Sequence, residues 1–558
     1  MLANDPDHSG HSEAAARNLG CKKRVEQLLT RRLIHPQPGI GHLEIDRELS
    51  LLRKNVQRHR AVRAHEDSAA RLTLAVGRPA RTKHPCYVFP MSRARPQPNE
   101  PPASTQGTLE AYREMWGLAW PVSVSASTVM LLMVANLFWI GHLGTEAVAA
   151  VSLTSQILFM AYGLTQIVFS GAVAVVARRT GEQNHSEAYG SSVHAIVLGA
   201  LLGIIVSVAG YFAASPLISF FEIEQSVSSI AIPYLEITFT GHVFFFVSMA
   251  VSASYQGTGN TRTPMILNAV VVGLNAVIDP VLIFRPGELV LGGLDIGVAG
   301  LGAVGAAVAD VIASAIGCFV FLALYASKYG PFPGEVRSRV TVRASGLWQI
   351  ARIGIPASVT MLARPLSTFF LLKVIASFGT TALAGFGIAV RAFSLNFIPF
   401  AGLHASVATL VGQRLGAGNP QRARLVVRHG LVIAVLLSIG LCVLYTGIAE
   451  PLIAIFDSDP AVIAVGVPFL MIIAFGQLFI GPTIPLGAAM NGAGDTRPPM
   501  FVALAANWPV KLPLAYALAI PFGLGTSGVW IGMFVSMILE ATLLALWFRR
   551  GRWMTQAV

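Results

Sequence analysis

Two carboxylates stand out because they lie inside long apolar runs. Asp279 belongs to NAVIDP (275–280), four residues after Asn275 and so on the same helix face. A carboxylate at membrane depth is normally protonated or paired, since burial penalises the charged form. Such a group can take up and release a proton, which is the chemistry of ion coupling. The competing reading makes Asp279, just before Pro280, a helix-terminus residue near an interface. Asp310 closes GAVGAAVAD (302–310), whose small residues suit close helix packing. Three roles stand open for it: a second proton carrier, a cavity carboxylate for cationic ligands, or half of a structural polar pair.

Basic residues gather in the later apolar runs: Arg364, Lys373, Arg391 and Lys511. Intramembrane cations are functional by default but also snorkel or pair structurally. Snorkelling suits Lys373, near a helix end. Arg364, followed by Pro365, sits deeper and is a candidate cavity residue, and Arg391 is either paired or cavity-lining. Glu540 has two open readings, an ion pair with a basic residue or a place at the cavity. Tyr162 is an aromatic candidate for the same cavity, against a default of packing. His194, His242 and His404 are scattered, and Cys21, Cys86, Cys318 and Cys442 lie far apart. Neither a metal site nor a disulfide framework is expected.

The elements that must position these residues are membrane helices. Of 558 residues, 54% are hydrophobic and 12% charged, against roughly 25% charged in soluble proteins. From Trp116 onward, apolar runs of 18 or more residues recur between short breaks, each able to cross a core about 30 Å thick. Twelve spans are predicted near 116–140, 147–177, 190–213, 228–254, 263–285, 296–327, 345–373, 382–412, 424–447, 463–488, 498–521 and 525–548. Basic residues follow the even-numbered spans, as at Arg178, Arg179, Arg262 and Arg414. The odd-numbered loops carry Arg285 against Glu146, Glu222, Glu224, Glu288, Asp295, Glu450, Asp457 and Asp459. By the positive-inside rule, even loops and both termini are cytoplasmic, in the inner (plasma) membrane. Residues 1–105 hold 18 of the 40 Lys and Arg and 10 of the 28 Asp and Glu. They read as a disordered basic extension, with translation expected to begin near Met91. That tail and the loop charge explain the basic balance without nucleic acid.

An offset of 235 residues superposes one half of the sequence on the other. Pro121 meets Pro356, Gly181 meets Gly416, Asn184 meets Asn419, and GTGNTRTPM (257–265) meets GAGDTRPPM (492–500). Beyond span 5 the offset becomes 223, and GAVGAAVAD (302–310) meets GTSGVWIGM (525–533). Six spans per repeat return the chain to its starting side, so the repeats are parallel and related by an axis along the membrane normal. The expected domains are an N-lobe over 106–330 and a C-lobe over 331–558, with a cavity between them. Pro121 and Pro356 are expected to kink spans 1 and 7 and to serve as hinge points.

The segment LVGQRLGAGNPQRA (410–423), its weaker copy VVARRTGEQNHSEA (175–188), and IGHLGTEAVAAVSL (140–153), YQGTGNTRTPM (255–265) and NAVIDPVLIF (275–284) together resemble the multidrug and toxic compound extrusion (MATE) family. The likeness covers about residues 112–550. It implies an all-α fold of two six-helix bundles around a V-shaped cavity, and export driven by inward flow of protons or sodium. It also implies that Asn275 and Asp279 belong to the N-lobe coupling network. Two positions depart from the family pattern. Asn136 stands where many members carry a coupling Asp, and an amide cannot carry a proton on and off near neutral pH. Asp310 stands where a small polar residue is common, and is expected to compensate by converging with Asn136 and Asp279 in one hydrogen-bond network. Arg391 falls where members often have Arg. The loss of the span 1 acid weakens the case for sodium, which wants several convergent oxygens.

The leading expectation is a monomeric antiporter that exports drugs or amphipathic metabolites in exchange for protons or sodium, with membrane lipid as its surroundings. Export of organic anions such as carboxylates is a second reading, resting on the basic C-lobe. A flippase for a lipid-linked precursor is a third, disfavoured by the ten residues after span 12. No GxxxxGK[ST] loop is present, so ATP hydrolysis within the chain is not expected, and no cofactor or enzymatic activity is expected.

Overall fold

The protein's computed structural model describes residues 105–556 except Leu289, Gly292, Gly293, Ile296 and residues 335–339. The expectations for the basic extension and the start near Met91 lie outside the described residues. Ten helices are long and apolar enough to cross a membrane, and two further bent pairs make twelve spans. Span 1 is Thr105–Gly141, span 2 Thr145–Gly181, span 3 His185–Ser219, span 5 Arg262–Ile283 and span 6 Ala303–Ala326. Span 7 is Ala344–Ala376, span 9 Pro420–Ala454, span 10 Pro460–Gly492, span 11 Arg497–Ala519 and span 12 Gly525–Arg549. The polytopic all-α architecture is the one expected. Repeat-related caps start spans 3 and 9: the Asn184 and Asn419 side chains accept the amides of Glu187 and Arg422 at 3.2 and 3.0 Å, satisfying donors the helix leaves free.

Departures from straight spans have local causes. Span 4 is Gln225–Thr240 plus His242–Gly257, bent by 44° at Gly241, and span 8 is Thr380–Ser394 plus Phe397–Gly416, bent by 43°. Span 11 widens into a π turn over Asn507–Lys511. Pro509 lies inside it and Pro513 just beyond, and each lacks a backbone donor. Span 6 begins at Ala303, not near 296. The apolar stretch before it instead doubles back on span 5, with Val298, Leu301 and Gly302 donating to the carbonyls of Val281, Leu282 and Ile283. Hydropathy alone cannot separate such a cap from a helix. Between them, Val290–Leu291 and Leu294–Asp295 form a short antiparallel pair. Pro121 and Pro356 are buried in helices that run through them without interruption. The pronounced breaks fall elsewhere, at Gly241 and at Leu395–Asn396.

The two sets of six spans meet along two seams, span 2 on span 7 and span 1 on span 8. Backbone touches backbone there. A Cβ on Gly354 would strike the Ile167 carbonyl, and one on Gly402 would strike the Ala119 carbonyl. Adding 235 turns Ala119 into Gly354 and Ile167 into Gly402, so the seams are copies of one contact with the glycine on opposite partners. At the end that carries the basic loops, Gly181 abuts the Gln413 carbonyl and Gly416 abuts the Arg178 carbonyl, again a repeat-related pair. Gly412 faces Ala177, its own counterpart at offset 235, as a twofold axis between them requires. The same end is tied by Glu114–Arg414 at 2.6 Å and by Gln413 Nε2 donating to the Gly257 carbonyl at 2.9 Å. The close approaches on span 7 run up to Leu362, against Gly163. Beyond it Phe369 and Phe370 are exposed, and Phe369 meets Phe221 edge-on.

Candidate functional site

Spans 5 and 6 pack side by side and bring their polar residues together. Asn275 Nδ2 donates to Asp310 Oδ1 at 2.5 Å. One turn further along span 5, Asp279 is fully buried, four residues before the helix ends at Ile283. Tyr234, on the first half of span 4, is buried beside the same helices in a cluster with Ile283, Ala306 and Ala307. Both Asp279 oxygens, Asn275 Oδ1 and Asn136 Oδ1 are buried without a hydrogen-bond partner. Span 1, which carries Asn136, packs against span 5. Asp310 thus faces span 5. The single network expected of Asn136, Asp279 and Asp310 is not closed: only Asn275 and Asp310 are bonded. Asp279 is also sealed from solvent rather than open to a cleft. No basic side chain is ion-paired with either acid among the described residues. Four buried acceptor oxygens of the cluster are thus left without a donor, which is costly unless protons or cations join them.

A second cluster forms where spans 7, 11 and 12 meet. Arg364 grips Glu540 with two bonds, Nη2 to Oε1 at 2.5 Å and Nε to Oε2 at 3.2 Å, the fork geometry that suits a carboxylate. Asn507 Nδ2 adds a third bond to Glu540 at 3.2 Å. Lys511 Nζ donates to Thr368 Oγ1 at 3.2 Å. The π turn places Asn507 and Lys511 in this cluster. Glu540 is 7% exposed, but the Arg364 side chain is 43% exposed. At mid-helix a charged side chain with this exposure belongs beside water rather than hydrocarbon. The structure decides between the two readings of Glu540 in favour of the ion pair.

Other candidates fare differently. Tyr162 is half-buried among rings, stacked on Phe159 at 6.3 Å and tilted against Phe245 at 5.7 Å. Arg391 is exposed and forms no ion pair among the described residues, so the structural pairing considered for it is not made. Lys373 is exposed near its helix end. Sequence reasoning missed Tyr234, Asn507 and Thr368. The repeat held a signal for the first: Tyr234 stands opposite Phe469 at offset 235, one hydroxyl gained in an otherwise apolar pair. The clusters themselves have no repeat-related copies. Asp279 is opposite Leu514, Asp310 opposite Met533, Arg364 opposite Val129 and Glu540 opposite Gly317. One backbone plan carries acids in the first half and a cationic cluster in the second.

The comparisons with known proteins agree with this architecture. Residues 121–281 and 356–517, one stretch in each half, match the MatE family. The probable multidrug resistance protein NorM of Thermotoga maritima is 28% identical over 449 residues, 80% of this chain and 94% of that protein. The FAD transporter of Shewanella oneidensis is 25% identical over 406 residues, 72% and 87% of the two chains. Among solved structures, a MOP superfamily transporter from Pyrococcus furiosus aligns with a TM-score of 0.73 at 21% identity, covering 82% of this chain and all of that one. A multidrug resistance MATE family transporter in an outward-facing conformation aligns at 0.72 and 21%, covering 80% and 97%. Two halves that each match the same family, joined in twelve spans along repeat-related glycine seams, place this chain in the MATE family of efflux transporters.

Proposed function

We propose that the protein is a secondary antiporter of the inner (plasma) membrane that exports amphipathic small molecules by alternating access, with Asp279 and Asp310 as the groups that exchange coupling protons. The observation that carries this reading is the fully buried Asp279 one turn along span 5 from Asn275, which bonds the half-buried Asp310, with no basic partner for either acid among the described residues. Such a pair changes its net charge when protons enter or leave, and two adjacent negative charges in a low-dielectric interior repel strongly. A change of charge at the junction of spans 5 and 6 alters their packing, which the glycine seams transmit as a rigid-body movement of one six-span lobe against the other. The basic end is the cytoplasmic one, and it is the end tied shut by Glu114–Arg414 and the Gly181 and Gly416 contacts. Relatives named for multidrug resistance and for FAD transport suggest amphipathic molecules as cargo.

The test is dye export from vesicles under separate proton and sodium gradients. Asp279→Asn is expected to abolish export driven by a pH gradient while leaving insertion and yield intact. Unchanged gradient-driven export would count decisively against the assignment. The unpartnered oxygens of Asn136, Asn275 and Asp279 support a second reading, coupling to sodium, and a response to the sodium gradient alone would select it.

A further inference from the structure

At the junction of spans 7, 11 and 12 the charges do not balance. Arg364 and Lys511 are two cations, Glu540 is one carboxylate, and both of its oxygens are taken by Arg364 and Asn507. Lys511 is 3% exposed. Its ammonium carries three donors and makes one hydrogen bond, to the Thr368 hydroxyl, whose own proton goes to the Arg364 carbonyl. No acid lies within ion-pair distance of Lys511 among the described residues. Trp508, within the same π turn, has a buried indole N–H without an acceptor, and its ring meets Phe370 edge-on at 5.6 Å. Donors and positive charge are thus in surplus. Arg364 uses Nε and Nη2 on Glu540, keeps 43% of its side chain exposed, and stands two residues past Leu362, where span 7 leaves its close contact with span 2.

We propose that Arg364, Lys511 and Trp508 form a binding site for the oxyanion group, carboxylate or phosphate, of an amphipathic organic anion carried as substrate. Glu540 and Asn507 are positioning residues that hold the guanidinium in its fork, and Phe370 with Trp508 supplies the apolar flank for the body of the molecule. This assignment rests on the proposed reading of the protein as an alternating-access exporter.

The test uses the full chain in nanodiscs, with no gradient, and three probes: carboxyfluorescein, 1-naphthyl phosphate and the cation ethidium. Binding is read by fluorescence. Replacing one charge-assisted donor is expected to weaken anion binding about tenfold to hundredfold in Lys511→Gln, while Lys511→Arg retains it and ethidium binding stays within about twofold. The double variant Arg364→Gln with Glu540→Gln removes the ion pair without orphaning either charge, and is expected to lose anion affinity to a similar degree. The preferred probe distinguishes a carboxylate site from a phosphate site. The proposal is overturned if wild-type protein binds ethidium and neither anion, or if folded Lys511→Gln binds the anions as wild type does. Asp279→Asn separates this from the coupling reading. It is expected to bind anions normally and to lose gradient-driven transport. Normal transport in Asp279→Asn, with anion binding still lost in Lys511→Gln, would sink the coupling assignment and support the site.

Discussion

Gly354→Ala tests whether the two seams hold one end of the transporter closed. In the structure a Cβ on Gly354 runs into the Ile167 carbonyl and its neighbouring Cα. Both are backbone atoms of span 2, which cannot turn aside as a side-chain tip can. Overpacking of this sort costs about 1–3 kcal/mol. Under the alternating-access reading this contact belongs to the state with the basic end shut, so the cost falls on that state. The ratio of open to closed forms should therefore rise roughly fivefold to hundredfold. Ser406 is the reporter: it is fully buried on span 8, at the repeat position of Gly171, which lies against Ile350 in the other seam. With the native cysteines replaced by serine, Ser406→Cys is expected to react slowly with a soluble maleimide. The added Gly354→Ala should raise that rate by a similar factor. At an exposed acidic-end position, Phe369→Cys should become less reactive in the same background. Gly402→Ala, at the repeat-related contact, must reproduce both changes. Unaltered reactivity at Ser406→Cys with either alanine, in protein that is folded and monodisperse, would refute the claim that these seams close the basic end.

Other outcomes follow from single contacts. Glu540→Gln leaves Arg364 without its counter-charge; breaking a buried pair costs about 3–5 kcal/mol, and the 43% exposure of Arg364 puts the loss at or below the lower end, read as a reduced Tm. Asn275→Ala removes the one bond held by Asp310, and a loss of about 1–3 kcal/mol is expected in the same measurement. Asp495, in the loop between spans 10 and 11, has its carboxyl held above the usual range by burial, an effect partly offset by Arg497 and Arg552. A raised folded value means that its cost is absent below about pH 4 and grows as pH climbs through the folded value. Asp495→Asn should therefore raise Tm at neutral pH and leave it unchanged in acid. Equal shifts at both pH values would refute the assignment. The repeat supplies the reason: Asn260, the counterpart, bonds Thr263 through both its amide atoms, whereas Thr263 is replaced by Pro498, which has no N–H to offer Asp495.

Much was legible in the chain because membrane folds are written in long-range composition. Hydrocarbon excludes unpaired backbone and charge, so twelve apolar runs, their basic loops and the offset of 235 predicted the spans and the pairing of repeats. Asn275 and Asp279 could be placed on one face because helical periodicity is local. The bend at Gly241, the π turn and the loop that caps span 5 were not legible, since each depends on where backbone groups find partners outside their own segment.

The sequence alone determined the number of spans, their order and the placing of Asp279 and Asp310 within neighbouring apolar runs, for these follow from periodicity and the cost of charge in lipid. Only the tertiary structure decided which side chains meet. It gave Asp310 to Asn275 rather than to Asn136, bound Arg364 to Glu540 across 176 residues, and left Lys511 with a hydroxyl alone. Partnership between distant spans is set by crossing geometry at a handful of glycines, and no local pattern in the chain encodes that geometry.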